Sequence, residues 1–109
     1  MIDWEDFQKL DIRAGTILEV EDFPAARKPA YKLKIDFGEA GILDSSAQIT
    51  QLYKKEELLG TQVVAVINLG PKKIAGFISE CLVLGIYNKK KEVVLLKPTV
   101  AVENGDRVG

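Results

Sequence analysis

Apolar and polar side chains alternate along two stretches near the start of the chain. Residues 12–20 alternate except at Ile17, and residues 31–37 alternate without interruption. Successive side chains of a β-strand point to opposite faces, so each stretch predicts a half-buried strand. Lys32 and Lys34 share the polar face of the second strand, and we expect both side chains to lie in solvent.

Residues 42–46 predict a third short strand. Three brief apolar runs, bounded by Gly, Pro, Asn or Lys as well-buried strands are, cover residues 63–67, 81–86 and 93–96. The segments between the runs are too short to be the regular crossover helices of a parallel sheet. The six predicted strands therefore indicate an all-β fold, a small antiparallel β-barrel.

Two short helical segments accompany the predicted barrel. Asp3 is placed to cap a helix at about residues 3–9, with Asp6 at the third position of that helix. Residues 47–59 predict a further short helix and a turn. Because no linker, repeat or low-complexity segment divides the chain, we expect residues 1–109 to form a single domain.

The composition excludes several kinds of chemistry. The 109 residues include no histidine and one cysteine, Cys81. Without imidazole, Ser-His-Asp and Cys-His catalysis are excluded, and a single thiol excludes an intrachain disulfide and a CxxC metal site. Cys81 opens an apolar run, where a thiol behaves as a small buried hydrophobe. We therefore expect a protein that is not an enzyme and that uses no cofactor.

Charge is distributed unevenly along the chain, although the formal net charge is only -1. Residues 1–22 carry seven acidic and two basic side chains, whereas residues 23–97 carry twelve basic and seven acidic ones. The acidic start lacks the cationic and then apolar pattern of a secretory leader, and no apolar run is long enough to cross a membrane. We expect a cytoplasmic protein that does not insert into membranes.

The basic middle of the chain contains a candidate binding surface. Arg27, Lys28, Lys32 and Lys34 lie around the second strand, and a small barrel would bring them beside Lys72 and Lys73 on one surface. Together these cations would form an electrostatic groove for the phosphates of a nucleic acid. The alternative is that the Lys-Lys pair belongs to a solvated hairpin connection and has no ligand.

Ser46 and Gln48 supply a hydroxyl and an amide that can bind an RNA backbone or the main chain of an extended peptide. The alternative is that Ser45 or Ser46 caps a helix. The lysines at 89–91 fall at a predicted hairpin tip, and we assign them no role in the site.

Two motifs in this sequence resemble the tRNA-binding domain family. The first is Leu-Asp-Ile-Arg-Ala-Gly-Thr-Ile at 10–17, and the second is Asn-Leu-x-Pro-Lys-x-Ile-x-Gly-x-x-Ser-Glu at 68–80. The resemblance spans roughly residues 7 to 109. Segments 22–33 and 45–50 are most similar to a secretion-related chaperone branch of this family.

The resemblance implies a fold, partners and two possible functions. It implies an OB-fold barrel that forms a homodimer through the N-terminal helix and the C-terminal segment. It further implies an export-related chaperone that binds unfolded precursor polypeptides and the SecA translocation motor. The alternative is a tRNA-binding protein that recognises tRNA structure through its basic surface.

The resemblance also assigns residues to the site. The family's RNA-side motif falls on Asn68, Lys72, Ser79 and Glu80, and Ser46 corresponds to a serine at the start of a short helix. If the chaperone function holds, Ile74, Phe77 and Tyr31 would line an apolar pocket for peptide side chains. Tyr31, however, stands at one of the apolar positions of the alternating second strand, so we expect its side chain in the core.

Overall fold

The computed structural model describes residues 1–109 and contains nine β-strands and three short helical segments. The elements are α1 Trp4–Gln8, β1 Ile12–Asp22, β2 Tyr31–Asp36, a 3-10 turn at Gly38–Ala40, β3 Ile42–Ala47, α2 Lys55–Leu58, β4 Gln62–Val66, β5 Lys72–Ile74, β6 Phe77–Ser79, β7 Leu82–Val83, β8 Gly85–Tyr87 and β9 Val93–Leu95.

Five strands form one antiparallel sheet in the order β3-β2-β1-β4-β7, and β5-β6 and β8-β9 form two separate ribbons. The free edge of β3 curls toward the chain before β7. There the Glu80 amide donates to the Asp44 carbonyl at 2.8 Å, and the Ser46 amide donates to Ser79 Oγ at 3.1 Å. The sheet is thus a nearly closed barrel, and the predicted all-β fold is confirmed.

The first strand contains a β-bulge that the alternation did not reveal. Ile17 is fully buried, whereas Leu18 is 40% exposed. The register of β1 against β2 shifts between Ile17 and Glu19. An extra residue in one strand reverses which side chains face inward from that point on. The alternation over residues 12–20 therefore does not describe one inward face, because Ile17, which interrupts it, belongs to the core and Leu18 does not.

The N-terminal helix begins as its sequence predicts. Asp3 Oδ1 accepts a hydrogen bond of 2.9 Å from the Asp6 amide, and the Asp6 carboxylate accepts one from the Asp3 amide. This reciprocal capping box satisfies amides that would otherwise lack partners at the start of α1. The helix predicted at 3–9 is confirmed.

The expected helix start at Ser46 is wrong. Ser45 and Ser46 both lie within β3, and Ser45 Oγ donates to the Cys81 carbonyl at 2.9 Å. The helix of this region is confined to Lys55–Leu58. Neither serine caps it, because pairing with β2 holds both residues in extended backbone.

The barrel interior is filled chiefly by the apolar face of β2. Tyr31, Leu33 and Ile35 point into one core cluster, and the Tyr31 hydroxyl donates to the Tyr53 carbonyl at 2.8 Å. The core position predicted for Tyr31 is confirmed. Gly15 makes room for this packing, since a Cβ atom there would lie 2.7 Å from the ring of Phe37.

The C-terminal segment lies along the part of β1 that β2 does not cover. The Ala14 amide donates to the Asp106 carbonyl at 2.9 Å, and the Gly105 amide donates to the Ala14 carbonyl at 2.8 Å. Gln62 and Val102 exchange two further hydrogen bonds, of 2.7 and 3.1 Å. This segment therefore acts as an additional partner for the sheet.

The polar connection at 68–80 is not a simple loop. It contains the hairpin β5–β6, whose two turn residues, Ala75 and Gly76, have φ values of 47° and 84°. Positive φ at both positions is the signature of a type I′ turn, which matches the twist of two short strands. The run at 81–86 also divides into β7 and β8, so the structure has more strands than the six predicted.

Candidate functional site

One concavity of the surface is a groove of about 960 Å³. Its walls are the β1–β2 loop, the end of β3, the β5–β6 hairpin and the segment from 79 through β8, and Val93 adds to its lining. Thirteen of its 23 lining residues are hydrophobic, including Ile49, Leu82 and Tyr87. A concave surface with an apolar floor and a few polar groups is the usual form of a ligand site. We call this surface the groove.

Nine of the twelve predicted site residues line the groove. They are Arg27, Lys28, Ser46, Gln48, Lys72, Lys73, Ile74, Ser79 and Glu80. The β1–β2 loop and the hairpin, distant in sequence, thus contribute to one surface. The hairpin reaches this surface because β6 lies beside β3, where the Ser46 amide donates to Ser79 Oγ at 3.1 Å.

Four cations line the groove without intramolecular partners. Arg27, Lys28, Lys72 and Lys73 form no ion pair and no side-chain hydrogen bond, as the ion pairs and hydrogen bonds of the whole chain show. The groove's only carboxylate is that of Glu80, whose Oε1 accepts a hydrogen bond of 2.9 Å from the Asp44 amide. The potential in the groove is therefore positive, and anionic groups are favoured there.

The neutral polar groups of the groove differ in their availability. The side chains of Ser46 and Gln48 form no intramolecular hydrogen bond and are free to meet a ligand. Ser79 Oγ, by contrast, accepts a bond of 3.1 Å from the Ser46 amide and lies 3.4 Å from the Cys81 carbonyl, to which it donates. Ser79 is buried and links the hairpin to β3.

Asn68 does not line the groove. Its Oδ1 accepts a hydrogen bond of 2.8 Å from the Asp11 amide, and its Nδ2 donates to the Lys9 carbonyl at 2.7 Å. Both ends of the carboxamide are therefore engaged within the protein. The residue joins the end of β4 to the segment between α1 and β1.

Lys32 and Phe77 lie on a different face, beside a second cavity of about 220 Å³. Lys32 Nζ lies 4.8 Å from the ring centroid of Phe23 and 5.3 Å from that of Phe77. A cation over aromatic rings is held by the negative charge of their faces. Neighbouring Lys34 pairs with Asp44 at 3.1 Å, a hydrogen bond that raises the pKa of Lys34.

The thiol that lines the groove belongs to Cys81. Cys81 is buried, and burial raises the pKa of its thiol to about 11. Nucleophilic cysteines require a lowered pKa, so the structural role expected for Cys81 fits its surroundings. No group of three or more His, Cys, Asp or Glu side chains is arranged to hold a metal ion.

Sequence reasoning missed several apolar residues of the groove. Leu69, Leu82 and Tyr87 line it although they are 45%, 51% and 74% exposed. Two signals were available. Leu69 is an apolar residue within the polar 68–80 connection, and Tyr87 is an aromatic residue next to a predicted turn. Neither signal says which surface a residue faces, because that depends on how the ribbons fold against the barrel.

A model of the putative tRNA binding domain matches residues 12–107. The chain belongs to this family. A relative at 41% identity is the methionine–tRNA ligase of Bacteroides fragilis, aligned over 98% of this chain. The chain spans 16% of the length of that enzyme.

Solved structures named as chaperones are similar over the whole chain. The chaperone CsaA of Bacillus anthracis is 50% identical, with a TM-score of 0.95, and 100% of this chain covers 99% of that one. The CsaA chaperone of Picrophilus torridus is 54% identical, with a TM-score of 0.94 and complete coverage of both chains. The resemblance to a chaperone branch of the family is thus confirmed, together with the small OB-fold-like architecture. Neither helix is long and apolar enough to cross a membrane.

Proposed function

We propose that this protein is an export-related chaperone that binds unfolded precursor polypeptides in the groove, without catalysis. The observation that carries the proposal is the groove's apolar lining, thirteen residues of 23, on a surface open to solvent. Each buried Å² of apolar surface contributes about 25 cal/mol, so a few client side chains suffice for reversible binding. The likeness to proteins named as chaperones supports the same function.

The proposal includes a homodimer formed through α1 and the C-terminal segment. Ile2, Trp4, Val100 and Val108 are exposed apolar residues of these two regions. Contiguous exposed apolar side chains favour association with another surface. Two grooves in one dimer would bind two segments of the same client, which raises avidity without new contacts. SecA as partner motor and a cytoplasmic location belong to the proposal on the strength of the resemblance.

The four unpaired cations favour a second function, tRNA binding. Arg27, Lys28, Lys72 and Lys73 present positive charge without competing internal acids, as a surface that contacts phosphates does. The groove hydroxyl and amide of Ser46 and Gln48 would then bind the sugar-phosphate backbone. The family membership supports this function as well.

Fluorescence anisotropy separates the two functions. A labelled unfolded precursor segment and a labelled tRNA are each titrated with the protein at low and at physiological salt. Apolar contacts change little with salt, whereas phosphate contacts weaken steeply. Precursor binding that persists at physiological salt while tRNA binding is lost supports the chaperone. Retained tRNA binding without a precursor signal refutes the chaperone and supports the second function.

A further inference from the structure

One edge of the β5–β6 hairpin carries main-chain groups without partners. The hairpin is a two-stranded sheet, so β5 pairs with β6 and with no other strand. Outside the strand ladders, no backbone or side-chain hydrogen bond of the protein involves Lys73. An unpaired strand edge is a template for a further strand.

The register of the hairpin identifies the outward-facing groups. Ile74 and Phe77 flank the two-residue turn and form its hydrogen-bonded closing pair. Hydrogen-bonded and non-hydrogen-bonded pairs alternate along an antiparallel ladder. Lys73 and Ile78 therefore form a non-hydrogen-bonded pair, and the Lys73 amide and carbonyl point away from β6.

This edge faces the groove. All three residues of β5 line the groove, whereas Ser79 is the only residue of β6 that does. The concavity thus lies on the β5 side of the hairpin. An extended chain in the groove passes within reach of the Lys73 main chain while its side chains meet the apolar floor.

The charges of the groove select the composition of such a chain. Four unpaired cations line it, and its one carboxylate, Glu80, already accepts a hydrogen bond from the Asp44 amide. Acidic side chains are attracted to this lining and basic ones are repelled. A segment that alternates apolar and acidic residues supplies apolar side chains to the apolar lining and carboxylates to the cations.

We propose that an extended client segment, apolar with interspersed acidic residues, adds to β5 as a third strand through the Lys73 amide and carbonyl. This inference rests on the polypeptide-binding function proposed above. Strand addition recognises main-chain groups common to every polypeptide, which suits a protein that must bind many unfolded sequences. The apolar floor and the cations then select among segments.

Backbone N-methylation of a peptide tests strand addition. The probe is a fluorescein-labelled octapeptide of alternating Val and Glu, compared with versions N-methylated at every Val or at every Glu. Alternate amides of a strand point to opposite edges, so one pattern blocks the edge toward β5 and the other leaves it intact. We expect one pattern to weaken binding about tenfold and the other to change it less than about twofold.

Equal affinities for the two methylated peptides would overturn strand addition while leaving polypeptide binding in place. If the unmethylated peptide and unfolded precursor segments all fail to bind, the proposed function falls as well. An alternating Val and Lys peptide should bind more weakly than the Val and Glu peptide. Binding of equal strength would overturn the preference for acidic segments.

Variants at Lys73 provide the matched test on the protein. Lys73→Gln and Lys73→Pro both remove the charge, and only proline removes the amide hydrogen. Proline is tolerated where a strand's amide faces outward, so the ladder with β6 should persist. We expect Lys73→Pro to bind the Val and Glu peptide about tenfold more weakly than Lys73→Gln, with similar circular dichroism. Equal affinities of the two folded variants would refute the role of the Lys73 amide. If Lys73→Pro does not fold, the comparison of the two methylated peptides tests strand addition instead.

Discussion

The side-chain oxygen of Asn68 accepts a hydrogen bond of 2.8 Å from the backbone amide of Asp11. The same side chain donates to the Lys9 carbonyl at 2.7 Å, so its hydrogen-bonding capacity is directed into the protein. Asn68 opens the second of the two motifs that resemble the family. Its position shows that part of that motif maintains the fold, and that the free groups of the groove lie elsewhere.

Asn68→Ala should lower the free energy of unfolding by about 1–2 kcal/mol, because two hydrogen bonds between the end of β4 and the N-terminal region are lost. Urea denaturation followed by circular dichroism measures the change. Asn68→Asp keeps the acceptor and loses the donor, so its stability should lie between those of Asn68→Ala and the wild type. Unchanged stability with weakened tRNA binding would instead make Asn68 a ligand contact.

Gly15→Ala should destabilise the barrel by about 1–3 kcal/mol, since the added methyl group would lie 2.7 Å from the Phe37 ring in a fully packed core. Thermal unfolding measures the effect. Gly70→Ala is the matched control, because no atom lies within 4 Å of a Cβ at that position. Equal melting temperatures for the two variants would show that the core near Phe37 accommodates the extra atom.

The Cys81 thiol should react slowly with iodoacetamide at pH 8 in the native protein and rapidly after denaturation. Its folded pKa of about 11 exceeds the ordinary value of 9.0, because burial disfavours the thiolate. The folded state therefore holds the proton more tightly than the unfolded state does. The contribution of this difference in pKa to the free energy of unfolding is fully present below about pH 9. It is lost as pH rises toward about 11, a decrease of about 2–3 kcal/mol.

The control for the alkaline loss of stability is Cys81→Ala, whose free energy of unfolding is measured across the same pH range. The variant should lose less stability than the wild type between pH 9 and about 11. Parallel stability curves for the two proteins would show that other groups account for the whole alkaline effect. Rapid alkylation of the native thiol would contradict its burial.

The double variant Lys72→Ala, Lys73→Ala should weaken tRNA binding and reduce its dependence on salt. Each lost phosphate contact lowers the slope of log affinity against log salt by about 0.7–0.9, so a reduction of about 1–2 is expected. Lys89→Ala, Lys90→Ala removes the same charge from a hairpin tip that does not line the groove. Similar losses in both double variants would indicate general attraction by net charge, without a site in the groove.

Leu82→Ser should weaken precursor binding several-fold, because Leu82 is an exposed apolar residue of the groove lining. Ile42→Ser is its counterpart, since Ile42 is 55% exposed, close to the 51% of Leu82, and does not line the groove. Anisotropy of the labelled precursor segment reports both affinities. A comparable loss in Ile42→Ser would show that the client binds apolar surface without preference for the groove.

Elements with a strong local signal were predictable from the sequence. The capping pair Asp3 and Asp6 defines the start of α1, and the uninterrupted alternation after Tyr31 defines β2. The β5–β6 hairpin was not predictable in this way. Its strands have three residues each, too few to show a period, and a turn with two positive φ values at Ala75 and Gly76 creates them.

The sequence by itself determined the β-rich composition, the N-terminal helix, the absence of histidine chemistry and the set of cations available to a ligand. Only the tertiary structure decided which polar residues remain free. The side chains of Asn68 and Ser79 are occupied because the amides of Asp11 and Ser46 are brought beside them, whereas Lys73 meets no such partner. A polar side chain bonds to whichever backbone groups the fold brings near, and such non-local neighbours leave no local signal in the chain.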